Sequence, residues 1–259
     1  MTDHILIDRR GDVLVITLNR PDRLNAAPPA MFDAIRAATC DLNGARAVLI
    51  TGTGRAFCSG ADVGGGALAS DDPAGTTFEA LTEHYNPAML ALATLPVPVV
   101  SSVRGAAAGI GCSLALAADF CVASDTAYFL QAFVNIGLIP DGGASWMLPR
   151  LIGRARALEM MMLGERVPAA KALDWGMIHA VVADDQLDAH AFALAQRLAA
   201  GPTVALGLMK QGLARALDGD YASAMAVEAQ HQRAARGSAD SHEGGMAFLQ
   251  KRKPRFTGA

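Results

Sequence analysis

The chain has 259 residues, 52% hydrophobic and 18% charged, with a formal net charge of -3 and a pI near 6.0. That length fits one large globular domain, or a domain with a helical appendage. The slightly acidic balance, with no long basic stripe before the C-terminal "KRKPR", argues against nucleic acid as a main partner. Aromatic residues make up only 5% while alanine and glycine abound, so the core must be built from aliphatic side chains and closely approaching backbones, as in layered α/β packing. Cys40, Cys58, Cys112 and Cys121 form no CxxC pair and read as buried reduced thiols. The histidines form no HxxxH or His/Cys cluster, so no metal site is expected, and neither a dinucleotide fingerprint nor a P-loop is present. No leader pattern opens the chain and no apolar run reaches the ~20 residues of a membrane helix, which suggests a cytoplasmic protein without a membrane span.

In chain order, "HILIDRR" and "DVLVITL" are β-type runs around Gly11-Asp12 and predict a hairpin over about 4–18. A loop, "NRPDRLNAAPP", precedes a helix from Met31 to about Leu42; "ARAVLITG" is then a buried strand, and the stretch from about Phe78 to Leu95 is helical. Between them, "VGGGALASDDPAGTT" reads as a mobile loop or an active-site flap. "VPVVSSVRG" is the next strand, followed by a small-residue loop, a helix beginning near Ile110 and a strand near Asp119 to Ala123. A strand-loop-helix unit is thus used more than once. Beyond Pro140 the pattern is almost entirely helical, with Met160-Met161-Met162 suited to a core or a subunit interface.

Two glycine-bearing, nearly uncharged loops lie next to buried apolar segments: "AFCSGADV" (56–63) and "GAAAGIGCSLALAADF" (105–120). Either alone could be a tight strand-to-helix turn. Facing each other they could form an oxyanion hole, because glycine admits a ligand close to the backbone and a helix start leaves N–H groups without intrahelical partners. Such donors stabilise charge developing on a carbonyl oxygen, and a thioester carbonyl suits them.

The ordered series "LNRPDRLNA", "AFCSGAD", "GAAAGIGCSLALAADF", "FVNIGLIPDGGASWMLPRLIG" and "FLQKRKPRF" resembles the crotonase, or enoyl-CoA hydratase/isomerase, family nearly from end to end. The resemblance implies an α/β fold, a crotonase-like spiral of ββα turns over residues 1–195, with a C-terminal helical region over 196–259 that builds a homotrimer or a hexamer made of two trimers. It implies an acyl-CoA thioester substrate, with coenzyme A belonging to that substrate and no separate cofactor. The oxyanion donors would be the backbone N–H groups of Ala61, after Ser59-Gly60, and Ile110, after Gly109, and the bulk of Ile110 would narrow the pocket. Arg23 occupies the place of a basic residue near coenzyme A, or is simply solvated. Leu24 and Ala26 would contact the ligand through their backbones, and Ala56, Ser59, Gly60, Asp62 and Val63 would line the thioester region, with Asp62 bracing its loop. Phe248, Lys251 and Arg252 match a terminal motif that can reach the adenine end, or form a solvated tail; His84 and Tyr85 could face the acyl pocket, although a surface histidine is the simpler reading.

The hydratases of the family use two glutamates to activate water. At the corresponding positions this chain carries Ser113 and Phe133. Asp141, directly after Pro140, stands where the family's enoyl-CoA isomerases carry their acid, although it could equally cap the helix that follows. With burial beside Phe133 and Leu138 raising its pKa, Asp141 would move one proton within the substrate, the pattern of the single-aspartate enoyl-CoA isomerases and of the epoxyphenylacetyl-CoA isomerase type. Two alternatives stand beside this expectation: an enoyl-CoA hydratase of fatty-acid β-oxidation using a base not yet identified, and a non-catalytic acyl-CoA-binding protein.

Overall fold

The computed structural model describes residues 4–62 and 70–259. The hairpin pairs β1 (Ile5–Arg10) with β2 (Val13–Leu18) in antiparallel register, turning at Gly11, whose φ is +63°. Strands β3 (Ala47–Gly52), β4 (Val99–Val103), β6 (Phe120–Ser124) and β9 (Ala180–Val182) extend it in parallel, in the order β1-β2-β3-β4-β6-β9. A smaller sheet joins β5 (Ala106–Ala108), β7 (Tyr128–Leu130) and β8 (Val167–Pro168) and is widened by a bridge between Cys58 and Ala107.

The alternation of side chains along β2 divides the interior in two. Leu14, Ile16 and Leu18 face the main core with Met31, Phe32 and Ile35 of helix α1 (Pro29–Cys40). Val13 and Val15, with Ala47, Leu49, Val100 and Val122, face the other way onto α7 (Leu187–Ala199), which meets them with Leu187, Ala191, Ala195 and Ala199. One side chain every four residues makes a single stripe on a helix, and alanine in three of the four places lets it lie close to the sheet. The helix continues through the boundary suggested near residue 195.

Strands of the large sheet feed the small one and then a helical segment. β4 runs through Arg104-Gly105 into β5 and then α4 (Ile110–Leu116), and β6 runs into β7 and then a 3₁₀ segment at Ala132–Ile136. This is the expected spiral of ββα turns. It differs from the sequence reading in several places. The helix expected over 78–95 is α2 (Pro73–Glu79), a π-helical turn (Ala80–Tyr85) and α3 (Asn86–Ala93), the first capped by Asp72 Oδ1 accepting from the Gly75 N–H at 2.9 Å. The latter part of the low-complexity patch is therefore helical, while its residues 63–69 lie outside the described residues.

The region beyond Pro140 contains helices α5 (Ala144–Leu163), α6 (Ala169–Asp174), α8 (Thr203–Ala216), α9 (Tyr221–Arg236) and α10 (Ala239–Leu249), with β8 and β9 between them. Strands of two and three residues are too short to impose a period on the sequence. Cys58, Cys112 and Cys121 are buried as expected, but Cys40 is exposed at the end of α1. Met160 is core whereas Met162 is exposed. The last residues are held by three part-buried hydrogen bonds: Asp240 accepts from the Thr257 and Gly258 N–H groups, and Arg46 donates to the Phe256 carbonyl at 3.0 Å. Among the described residues no single helix is long and apolar enough to cross a membrane.

Candidate active site

The first glycine loop is built by attachment to two neighbours. Along one side, the Phe57 and Cys58 N–H groups donate to Arg104 and Ala106 carbonyls, and the Ala108 N–H returns a bond to the Cys58 carbonyl. Along the other, the Ser59 N–H donates to the Leu24 carbonyl, the Ala27 N–H to the Gly60 carbonyl at 2.8 Å, and the Asp62 N–H to the Ala27 carbonyl at 3.0 Å. The Gly60 carbonyl and the Ala61 N–H belong to one planar trans peptide and point in opposite directions. Because the carbonyl faces Ala27, the N–H of Ala61 faces away, and it has no acceptor among the described residues. Ala61 itself is exposed.

The second loop obeys the same geometry. Gly109 leaves β5 at φ +53° and opens α4, with its carbonyl accepting from the N–H groups of Cys112 and Ser113. The Ile110 N–H, in the same peptide, therefore points out of the helix start. The two loops touch: a β-carbon at Gly109 would lie 3.7 Å from Gly60 Cα, and one at Gly111 would lie 2.6 Å from the carbonyl oxygen and β-carbon of Cys58. All seven residues of α4 are buried, so the donors sit at the edge of a dry interior.

Asp141 lies over this helix in a turn where Gly142 and Gly143 have φ of +60° and +82°. The turn is tied to α4: Ser113 Oγ donates to the Asp141 carbonyl at 2.9 Å, and Gly142 packs against Ile110 Cδ1 and Ser113 so closely that a β-carbon would overlap both. Asp141 Oδ1 is buried without a hydrogen-bond partner among the described residues, and burial pushes the carboxyl pKa up to about 6. The helix-cap reading of Asp141 fails on this point, since the N-cap of α5 is Gly143 and no side chain caps the helix.

Ser113 is fully buried, and the Phe133 ring stands beside Gly109, so neither hydratase carboxylate position is left open. Ile110 does not narrow an open pocket. Its side chain is 1% exposed and fills the space under Gly142. Leu138 is 50% exposed. Val63 lies outside the described residues. Ala56 is buried and its carbonyl accepts from Asn25, and Leu24, Ala26 and Ser59 surround the loop half-buried.

Arg23 is exposed, and it is Arg20 that reaches the site: its guanidinium pairs with Asp62 at 2.7 Å and donates to the Ala26 carbonyl. The bracing role expected of Asp62 thus has a partner that sequence reasoning missed. Asn25 was also missed. It is fully buried, with its amide bonded to the Thr53 and Ala56 carbonyls and its oxygen accepting from the Arg20 N–H. Tyr85 is buried and donates to the Ala27 carbonyl at 2.8 Å; its own pKa is raised by burial and by the nearby charges of Asp141, Cys58 and Asp62. His84, by contrast, sits at the surface against Asp33. Arg252 is taken by a forked pair with Glu243, and Phe248 is exposed. Among the described residues no group of His, Cys, Asp and Glu is arranged to hold a metal ion.

The sequence and the fold both recur in known proteins. The family model for enoyl-CoA hydratase/isomerase matches residues 8–259. The chain belongs to this family. It is 44% identical over 246 residues, 94% of either chain, to a Rhodobacter capsulatus protein named as a probable enoyl-CoA hydratase. It is 41% identical over 262 residues, the whole of both chains, to the 1,2-epoxyphenylacetyl-CoA isomerase of Escherichia coli K12. The crystal structure of an enoyl-CoA hydratase from Bacillus anthracis superimposes with a TM-score of 0.93 at 29% identity, covering 99% of this chain and 100% of that one. Hydratase and isomerase names stand side by side among these relatives, so the family fixes the fold and the class of enzyme but not the reaction.

Proposed function

We propose that the protein is an enoyl-CoA isomerase that moves a double bond within an acyl-CoA thioester, with Asp141 as its single acid and base. The observation that carries this reading is the Asp141 carboxyl, whose Oδ1 is buried without a partner among the described residues and whose pKa is raised to about 6, on a turn seated against the helix that supplies one of the two N–H groups. Such a group is largely ionised at neutral pH yet weakly solvated, as a general base requires.

The Ala61 and Ile110 N–H groups receive the thioester oxygen and lower the energy of the enolate, each typically supplying ~3–4 kcal/mol of transition-state stabilisation. Asp141 takes a proton from carbon, and the released electron pair spreads into the thioester. The same carboxylic acid returns the proton to a different carbon, restoring the neutral ester with its double bond moved. No water enters. Ser113 and Phe133 at the two hydratase positions support this choice, since neither can orient and deprotonate a water molecule at neutral pH. The exposed apolar residues of the C-terminal helices, among them Met209, Leu213 and Met225, suit the trimer or hexamer the resemblance implies.

The deciding experiment incubates the protein and its Asp141→Asn variant with 3-enoyl-CoA and 2-enoyl-CoA thioesters in heavy-oxygen water and follows the products by mass spectrometry. Conversion of the 3-enoyl substrate without a mass change, lost in the variant, is the expected result. Incorporation of heavy oxygen into the 2-enoyl substrate would make the protein a hydratase. Saturable binding without turnover would make it an acyl-CoA carrier.

A further inference from the structure

The segment that precedes the first helix carries more structure than ligand binding calls for. Leu24 and Asn25 hold consecutive left-handed conformations, with φ of 51° and 54°, a region that Asn visits more readily and Leu rarely. They are kept there by the buried Asn25 side chain, whose amide nitrogen donates at 2.9 and 2.8 Å to the Thr53 and Ala56 carbonyls and whose oxygen accepts from the Arg20 N–H at 2.7 Å. Arg20 then spans the strap and the loop, donating to the Ala26 carbonyl on one side and to the Asp62 carboxylate on the other. Ala27, next in the strap, fixes the Gly60 carbonyl from one side and receives the Asp62 N–H and the Tyr85 hydroxyl on its own carbonyl.

All these attachments converge on one peptide. Gly60, at φ +114°, has no side chain to restrict its torsions, so the plane carrying the Ala61 N–H has little stiffness of its own. We propose that Arg20 and Asn25, acting with Asp62, are positioning residues that clamp this plane and so set the direction of the Ala61 donor. The proposal rests on the reading of Ala61 as an oxyanion donor. Arg20 holds the residue after the donor through Asp62 and the strap before it through Ala26, and Asn25 keeps the strap in the conformation that presents Ala27 to Gly60. Neither side chain is assigned contact with substrate.

The test reads carbonyl polarisation directly. Butanoyl-CoA labelled with carbon-13 at the thioester carbonyl has no double bond to move, and isotope-edited infrared spectra report its C=O stretch when bound. In the wild-type protein and in Asp141→Asn the stretch falls on binding. In Asp62→Ala and Arg20→Gln roughly half or more of that fall is lost, because misdirecting one of two donors removes its share of the polarisation. On an isomerisable substrate the same variants lose roughly ten- to hundredfold in kcat with little change in KM, the scale expected for ångström misplacement at a reacting centre. Arg20→Lys, which keeps a charged donor, recovers part of both. If Asp62→Ala fails to fold, Asp62→Asn, which keeps the shape and removes the charge, takes its place. Folded variants that bind the probe with the full wild-type shift and full kcat would overturn the clamp. A wild-type protein showing no shift while Asp141→Asn abolishes turnover would refute the oxyanion reading itself, and the clamp with it.

Discussion

Replacing Asp141 by asparagine should abolish turnover and at the same time stabilise the fold, in a way that depends on pH. The carboxyl rises from 3.8 in the open chain to about 6 in the folded protein because burial removes hydration, and Oδ1 finds no hydrogen-bond partner among the described residues. At about 1.4 kcal/mol per unit, holding the ionised form in place costs roughly 3 kcal/mol of folding free energy. The penalty is absent below pH 3.8, where the group is protonated in both states, grows between pH 3.8 and about 6, and is complete above that. Asparagine has nearly the same shape and does not titrate, so any penalty from its own unpaired amide is the same at every pH. The stability difference between variant and wild type should therefore shift toward the variant by up to about 3 kcal/mol between pH 4 and pH 8. Urea unfolding at fixed protein concentration, repeated across that range, measures it. A difference that stays constant with pH, or moves toward the wild type as pH rises, would refute the reading of Asp141 as an unpaired buried acid.

The same titration should govern catalysis: kcat/KM should rise with pH to a plateau, with a midpoint near 6, because the base must be ionised in the free enzyme. Ser113→Ala removes the bond that ties the Asp141 carbonyl to α4 and should cost about 1 kcal/mol of stability and several-fold in kcat, read by urea unfolding and steady-state kinetics. Ser113→Glu should not create a hydratase: the site is fully buried against Gly142, so the product from 2-enoyl-CoA should carry no heavy oxygen. Gly111→Ala should destabilise by roughly 1–3 kcal/mol, and Cys58→Ala should not rescue it, because the new methyl meets the Cys58 backbone oxygen and β-carbon at 2.6 Å and not only its sulfur.

The repeating strand-loop-helix unit, the two glycine loops and the acid after Pro140 were legible in the chain because each is local: a strand pattern, a small-residue turn, a position beside a motif. Asp141 illustrates the limit of that legibility. As a helix cap or as a catalytic acid it reads the same in sequence, and the two are separated only in the fold, where Gly143 is the N-cap of α5 and no side chain caps it. Arg20 was passed over for Arg23 for a similar reason. Both lie in "NRPDR", and it is Asp62, some forty residues later, that draws Arg20 inward. The π-helical turn at Ala80–Tyr85 was invisible because α and π turns use the same residues, yet it helps to bring Tyr85 onto the Ala27 carbonyl. The expected bulk of Ile110 in the pocket went wrong because a side chain beside a glycine pair can fill the turn instead of facing the ligand.

The two hydratase positions bear on the reaction through what occupies them now. Ser113 spends its hydroxyl on the Asp141 carbonyl and its β-carbon on Gly142, and the Phe133 ring packs beside Gly109, the residue that aims the Ile110 donor. A glutamate at 113 would break the tie that seats Asp141, and one at 133 would remove the ring next to Gly109. Two such changes would unseat the proposed base before any water was positioned. On the isomerase reading, the serine and the phenylalanine are therefore parts of the device that holds a single carboxylate against two backbone donors, and an acid gained at either place would disturb the one already present.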